Sequence, residues 1–236
     1  MNRKTDLFLD KYKELEAIVA VEYQLSNSES SVSYILRKPE FRSIKLELDY
    51  CREVRNLLSH MPQVNKRYAV EPTDEMIALL ERVIEKIKNP KRAGDICIPL
   101  SEVCTKKMND FVFPAILEMN EKEYTHVPIM EKDLVVGVFS ENTILRCLVD
   151  EEMEPLDKAV KFSDIKKYLP IDHHKAESFR FIEYNALVSE VEELFTEALK
   201  QDDRIGLVFV TRNGKPTEKV LGIISAWDVA GVDVFE

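Results

Sequence analysis

Two segments of the chain end a β-branched stretch with a glycine, two apolar residues and a serine. In one, Asp228 follows Ser225 by three residues, and in the other, Thr143 follows Ser140. A serine at a strand end can cap the next helix, and nearby backbone N–H groups can meet a phosphate. A carboxylate three residues later can accept hydrogen bonds from ribose hydroxyls. Taken singly, each pair is better explained by simple helix capping, which is common for these residues.

The two segments share one layout, so their glycine positions can be compared. Residues 125–144 and residues 205–229 each read as a strand, a turn, a second strand and the start of a helix. Gly137 aligns with Gly222, and glycine lets a ligand or another backbone approach closely. Self-similarity of this kind indicates two copies of one structural module.

This repeat resembles the CBS module, a βαββα unit that occurs in tandem and packs around a pseudo-twofold axis. The most specific part is Gly222-Ile-Ile-Ser225-Ala-Trp-Asp228-Val, and the resemblance covers roughly residues 95–236, weakly over the lead-in 95–110. It implies an adenine-containing ligand in the clefts between modules: AMP, ATP, S-adenosylmethionine or a cyclic dinucleotide. It also implies that Asp228 binds ribose, with Ser225 toward the phosphate.

The same resemblance assigns further residues to the two clefts. Phe181 and Ile182 would line an apolar base pocket, and Trp227 would either stack on the adenine or cover the module interface. In the first cleft, beside Ser140, Thr143 stands in place of the acid. The first cleft is therefore expected to be a weaker nucleotide site, or an empty one.

A second constellation lies nearer the N-terminus, where residues 52–62 read Arg-Glu-Val-Arg-Asn-Leu-Leu-Ser-His-Met-Pro. Arg55-Asn56 followed by His60 at the end of a long helix resembles the signature of HEPN domains. These are small helical bundles, often dimeric, and many are metal-independent ribonucleases. The resemblance implies acid–base chemistry for His60 and stabilisation of phosphate charge on an RNA substrate by Arg55.

The spacing of Arg55 and His60 limits how they act together. Five residues separate the two side chains by about 140° around an ideal helix. Joint action therefore needs a partner subunit or a distorted helix end, for which Pro62 is well placed. In the alternative interpretation, Arg55 bridges helices through an acidic residue and His60 interacts with the helix C-terminus.

Helices must position Arg55 and His60, because the first 90 residues carry helical periodicity throughout. Apolar residues recur at helical spacing in four segments: 5–24, 32–38, 40–61 and 72–90. Thr73 or Asp74 is the expected cap of the last segment, and Pro90 follows its end. We therefore expect a helical bundle, HEPN-like, over residues 1–90.

Beyond a Pro-, Gly- and Lys-containing junction at 88–95, short β-branched stretches alternate with helices. Strands are predicted at 125–130, 134–140, 178–184, 205–211 and 219–225. Helices are predicted at 141–152, 186–200 and 226–232. The expected fold is α+β: the helical bundle, then a tandem βαββα pair over residues 91–236.

Composition narrows the function classes. No apolar stretch is long enough to span a membrane, and the first residues lack the apolar core of a signal peptide, so a cytoplasmic protein is expected. Residues 1–90 carry equal numbers of acidic and basic residues, so the net charge of −10 lies in residues 91–236 and argues against broad nucleic-acid binding there. The spacing of the four cysteines matches no metal site, and His173-His174 is expected to be solvated, so neither a metal nor a cofactor is predicted.

Together these features favour a cytoplasmic regulatory protein that forms a homodimer. Nucleotide binding to the tandem pair would bias the packing or dimerisation of the helical domain, provided that the ligand prefers one state. The output would be RNA cleavage by Arg55 and His60, or contact with a partner. In the alternative hypothesis the helices are not catalytic, and they only dimerise the pair or dock an enzyme.

Overall fold

The computed structural model describes residues 3–26, 30–38, 41, 44–60, 68, 70–150 and 157–230. Within it the chain divides into two compact units, and the division falls between Lys91 and Arg92. Helices alone form the first unit in its described part, whereas the second unit contains both helices and sheets. The α+β class expected from the sequence is therefore confirmed.

The described part of the first unit contains four α-helices: α1 (Arg3–Glu22), α2 (Ser31–Ile35), α3 (Lys45–His60) and α4 (Asp74–Lys88). Their apolar faces share one core, whose fully buried members include Phe8, Leu15, Leu48 and Leu80. Burial of these faces, rather than helix propensity, supplies most of the stability of such helices. Residues 40 and 61, the expected limits of the third helix, lie outside the described residues.

The fourth helix shows how the sequence signals its own start. Thr73 has an extended backbone, and its hydroxyl accepts a hydrogen bond from the Met76 amide at 3.4 Å. Thr73 is therefore the N-cap, and Asp74 is the first helical residue, where its negative charge interacts favourably with the helix dipole. Lys88 lies in the last turn, where the same dipole stabilises a positive charge.

The second unit contains five helices and six strands in its described residues. Its helices are α5 (Ala93–Ile96), α6 (Val112–Lys122), α7 (Glu141–Val149), α8 (Val188–Lys200) and α9 (Ala226–Ala230). Its strands are β1 (Ile98–Pro99), β2 (His126–Glu131), β3 (Leu134–Ser140), β4 (Ser178–Glu183), β5 (Ile205–Thr211) and β6 (Val220–Ile224). All five predicted strands are present within a residue or two of their expected limits.

The strands form two sheets. One has the order β1-β6-β5-β4, with β4 parallel to β5 and the other neighbours antiparallel. The second is the antiparallel pair β2-β3. Lys106 forms a parallel bridge with Ile129 of β2. This pairing corresponds to the parallel pairing of β4 with β5. Each half of the unit therefore has the order strand, helix, strand, strand, helix. In the first half, the first strand is reduced to the single bridge at Lys106.

The helix of the first half, α6, was not predicted from the sequence. Pro114 lies in its first turn, where the missing N–H costs nothing because no intrahelical partner exists there. Its apolar side packs with β2 and β3 in a buried cluster that includes Val112, Ala115 and Phe139. Because proline usually ends a helix, Pro114 makes α6 hard to predict from the sequence.

A shared apolar layer joins the two sheets. Val138 of β3 belongs to the same buried cluster as Phe179 of β4 and Phe209 of β5. Since such burial contributes roughly 25 cal/mol per Å² of apolar surface, this layer holds the two halves as one body. Among the described helices, none combines the length and the apolar character needed to cross a bilayer.

Candidate functional site

The strand end at Ser225 is held by a local hydrogen-bond pair. The backbone N–H and the hydroxyl of Ser225 both donate to Oδ2 of Asp228, at 2.6 and 2.7 Å. These contacts fix the carboxylate at the start of α9. A carboxylate has about four acceptor positions, so Asp228 retains capacity for hydroxyl groups of a ligand.

The segment that precedes each half runs against a strand of the other half, at one of the two aligned glycines. The segment before the first half meets β6 at Gly222, and the segment before the second half meets β3 at Gly137. A Cβ on Gly222 would lie 2.5 Å from the carbonyl oxygen of Ile98 and 2.9 Å from Sγ of Cys97. A Cβ on Gly137 would lie 2.6 Å from the carbonyl oxygen of Leu169. Both glycines therefore admit a crossing backbone, which settles the choice between backbone and ligand that the sequence leaves open.

Cys97 is a neighbour of Asp228 that sequence reasoning missed. Burial raises the pKa of the Cys97 thiol, and the carboxylates of Asp95 and Asp228 raise it further, so the thiol stays protonated. The strand that carries the crossing, β1, has only two residues and lacks any periodic pattern. No sequence signal could have placed it beside the strand end.

Trp227 lies beside Asp228 in the first turn of α9. It is 86% exposed, so within the described part of the chain it does not cover an interface between the modules. An exposed indole next to a carboxylate is free to stack on an aromatic base. The structure thus brings together three predicted residues at this strand end: Ser225, Trp227 and Asp228.

Phe181 and Ile182 lie on β4, with β5 between them and β6 in the sheet. Phe181 stacks on Phe209 with ring centroids 5.3 Å apart, and both predicted residues line a groove of about 550 Å³ between β4 and α8. Four glutamates also line this groove: Glu183, Glu190, Glu193 and Glu197. Ile182 also belongs to the buried cluster that contains Ile224, against which Cys97 and Val229 pack. A pocket that Phe181 and Ile182 share with Ser225 and Asp228 stays a prediction.

The other strand end, at Ser140, has a different arrangement. Ser140 caps α7 and forms a reciprocal capping box with Thr143. The Ser140 N–H donates to the Thr143 hydroxyl at 3.2 Å, and the Thr143 N–H donates to the Ser140 hydroxyl at 3.3 Å. The Ser140 hydroxyl donates to Oε1 of Glu177 at 2.5 Å, and the Asn142 amide donates to Oε2 at 3.1 Å. Both Ser140 and Thr143 are buried. Glu177, which the sequence did not single out, supplies a carboxylate to this strand end.

Two histidines complete the surroundings of Glu177. Nε2 of His126 lies 2.8 Å from Oε2, and Nδ1 of His174 lies 3.1 Å from Oε1. Burial raises the pKa of Glu177, but hydrogen bonds from His126, His174 and Ser140 outweigh it, so the pKa lies well below its usual range. The expectation that His173 and His174 are both solvated is half wrong: His173 is exposed, whereas the His174 side chain is 2% exposed.

Metal binding has no support in the described part of the chain. No group of three or more His, Cys, Asp or Glu residues is arranged there to hold a metal ion. All four cysteines have free thiols: Cys51, Cys97, Cys104 and Cys147. The two histidines beside Glu177 each have a hydrogen-bond partner on both ring nitrogens.

In the first unit, Arg55 is engaged by α1. Its Nη2 lies 3.2 Å from Oε1 of Glu16, and its guanidinium lies 5.4 Å from the ring centre of Tyr12. His60 is exposed at the last residue of α3, which stays helical up to that residue. Pro62, expected to distort the helix end, lies outside the described residues. The contacts of Arg55 match the helix-bridging interpretation.

Comparison with known proteins gives fold neighbours only. No protein-family model matches the chain. No curated protein matches it either. A protein with CBS domains from Burkholderia ambifaria MC40-6 is 24% identical over 59% of this chain and 91% of its own, with a TM-score of 0.42.

Two further solved structures give similar values. A hemolysin-like protein containing a CBS domain from Oenococcus oeni PSU is 20% identical over 64% of this chain and 93% of its own, with a TM-score of 0.42. CBSX2 in complex with AMP is 17% identical over 59% of this chain and 92% of its own, also with a TM-score of 0.42.

Proposed function

We propose that the second unit is a CBS-type pair that binds an adenine-containing nucleotide beside Ser225 and Asp228. The observation that carries the proposal is the Asp228 carboxylate, fixed by Ser225 at a strand end and flanked by an exposed indole. Its remaining acceptor positions suit the two hydroxyls of a ribose, and Trp227 offers a surface for a purine base. The two βαββα halves, with their reciprocal crossings at Gly137 and Gly222, support the modular assignment.

The base pocket of this proposal adds one segment to the pocket expected from the sequence. The segment at Cys97 and Ile98 lies against Gly222, three residues before Ser225. Cys97 also packs against the buried cluster that contains Ile182 and Ile224. A purine near Trp227 would meet the apolar side chains of this segment, and Phe181 and Ile182 stay candidates for the same pocket.

Calorimetric titration of the purified protein with AMP, ADP, ATP, S-adenosylmethionine and cyclic dinucleotides tests the proposal. Asp228→Ala should weaken binding by ~1–3 kcal/mol, about 5- to 150-fold, the scale for buried polar groups that lose a partner. Asp110→Ala is a matched control, because Asp110 accepts the Lys107 N–H at 2.7 Å in the same three-residue geometry. Equal affinities for the wild type and Asp228→Ala would overturn the proposal.

A second proposal concerns the helical unit, which would self-associate and transmit the nucleotide signal. The exposed residues Leu46, Tyr50 and Leu57 lie four and seven residues apart on α3, so they share one face. Such an apolar stripe on an otherwise charged helix suits a homodimer contact. Leu46→Glu should shift the mass measured by light scattering from dimer to monomer, and an unchanged mass would contradict this role.

Ribonuclease activity remains the alternative output of the helical unit. Arg55 is held by Glu16 and Tyr12, an arrangement that favours a structural role over phosphate binding. We therefore favour the non-catalytic hypothesis, in which the helices dimerise the pair or dock a partner. Cleavage of RNA by the wild type that both Arg55→Ala and His60→Ala abolish would reverse this preference.

A further inference from the structure

The chain's own carboxylate occupies the polar groups at the first strand end. Glu177 accepts hydrogen bonds from Ser140, Asn142, His126 and His174, two on each carboxylate oxygen, at 2.5–3.1 Å. Its side chain is 7% exposed. Four donors fill the acceptor positions of a carboxylate, so Glu177 has no capacity left for another partner.

Each of the two histidines has a second partner besides Glu177. Nε2 of His174 lies 3.3 Å from the carbonyl oxygen of Leu169. Nδ1 of His126 lies 2.7 Å from the Thr125 hydroxyl. These contacts hold each ring so that its other nitrogen faces the Glu177 carboxylate.

The donors around Glu177 come from separate parts of the chain. His126 begins β2, Ser140 ends β3, Asn142 lies in the first turn of α7, and His174 precedes β4. Converging hydroxyl, amide and imidazole donors form a receptor for an anion of carboxylate or phosphate type. In the second half, the Ser225 hydroxyl donates instead to Asp228 on its own helix.

We infer that Glu177 is an internal ligand that fills an anion receptor and closes the first cleft, so that the chain binds a single nucleotide, in the second cleft. This inference rests on the proposed function for its nucleotide, although the receptor itself does not. A nucleotide at Ser140 would have to displace a buried carboxylate and leave His174 without its partner. The first cleft is therefore held shut by a contact, rather than weakened only by Thr143.

Formate provides a test of the receptor that needs no nucleotide. Glu177→Ala removes the carboxylate and leaves its four donors around a space that a formate ion fits. The midpoint of thermal unfolding of Glu177→Ala should be several degrees higher in formate than in chloride at equal ionic strength. Wild type and Glu121→Ala, an exposed residue of α6, should show no such difference. The same response in all three proteins would overturn the receptor.

Calorimetric stoichiometry with AMP and ATP tests the closure. The wild type should bind one nucleotide per chain, and Asp228→Ala should weaken that single binding event about 5- to 150-fold. Glu177→Ala should gain a second site. Two nucleotides per wild-type chain, or a site in Asp228→Ala that keeps the wild-type affinity, would overturn closure, and this measurement does not require Glu177→Ala to fold.

The outcomes separate the two proposals. If formate stabilises Glu177→Ala but the wild type binds neither AMP nor ATP, the proposed function falls and the receptor stands. If the wild type binds one nucleotide through Asp228 but Glu177→Ala shows neither formate stabilisation nor a second site, the inference falls and the proposed function stands.

Discussion

Replacing Glu177 with glutamine changes the charge of the buried cluster while keeping its volume. The amide can turn its oxygen toward Ser140 and His174, but its NH₂ group then faces Asn142 and His126, which donate to the native carboxylate. Glu177→Gln is therefore expected to lower the free energy of unfolding.

The magnitude follows from burial and charge. A hydrogen bond to a charged group contributes ~1.5–3 kcal/mol, and the glutamine oxygen keeps two of the four hydrogen bonds. Because the other two are lost, we expect a loss of about 3 kcal/mol at pH 7. Glu121→Gln, which changes an exposed glutamate on α6, should stay within about 0.5 kcal/mol of the wild type.

The pH dependence supplies a second signature. The pKa of Glu177 in the folded protein lies below its ordinary value, so its stabilisation is full above the unfolded pKa and is lost as pH falls. The gap between wild type and Glu177→Gln should shrink by up to ~1.4 kcal/mol per pH unit below about pH 4.3. Urea unfolding at pH 7, 5, 4 and 3.5 measures it. A gap under 1 kcal/mol at pH 7, or a gap independent of pH, would refute this reasoning.

Two further predictions address the crossing and the helical unit. Gly222→Ala should lower the free energy of unfolding by ~1–3 kcal/mol, because its Cβ would meet backbone atoms that cannot move aside. Gly94→Ala is the control and should be nearly neutral, because only the half-exposed Tyr184 ring opposes its Cβ. Equal shifts in the thermal midpoint of the two variants would contradict the close backbone approach at Gly222. Arg55→Ala should cost about 1 kcal/mol through the half-exposed contacts with Glu16 and Tyr12. A double variant with Glu16→Gln should then cost less than the sum of the single changes in urea unfolding, and additivity would exclude the bridge.

If both proposals hold, the second unit is asymmetric in function despite its repeated architecture. One strand end presents a carboxylate with open acceptor positions at Asp228, and the other presents donors already satisfied by Glu177. A single nucleotide would then bind one side of the pair.

The sequence alone determined the local features of the protein. Spacing of apolar residues identified the helices of the first unit and all five longer strands, because periodicity reports which face of an element is buried. The Thr73 cap and the Ser225–Asp228 pair were readable since their partners lie within three residues. Comparison of the two strand ends also revealed the repeat. The helix α6 escaped this reasoning, as Pro114 masks its start.

The contacts between distant segments were decided only by the tertiary structure. Glu177 meets His126 across 51 residues, and Arg55 meets Glu16 across 39. Sheet order places β5 between β4 and β6. Local patterns carry no information on which distant segments meet, because those contacts are set by the packing of whole elements. The close backbone approaches at Gly137 and Gly222, and the contacts of Glu177 at the first strand end, therefore emerged only from the folded chain.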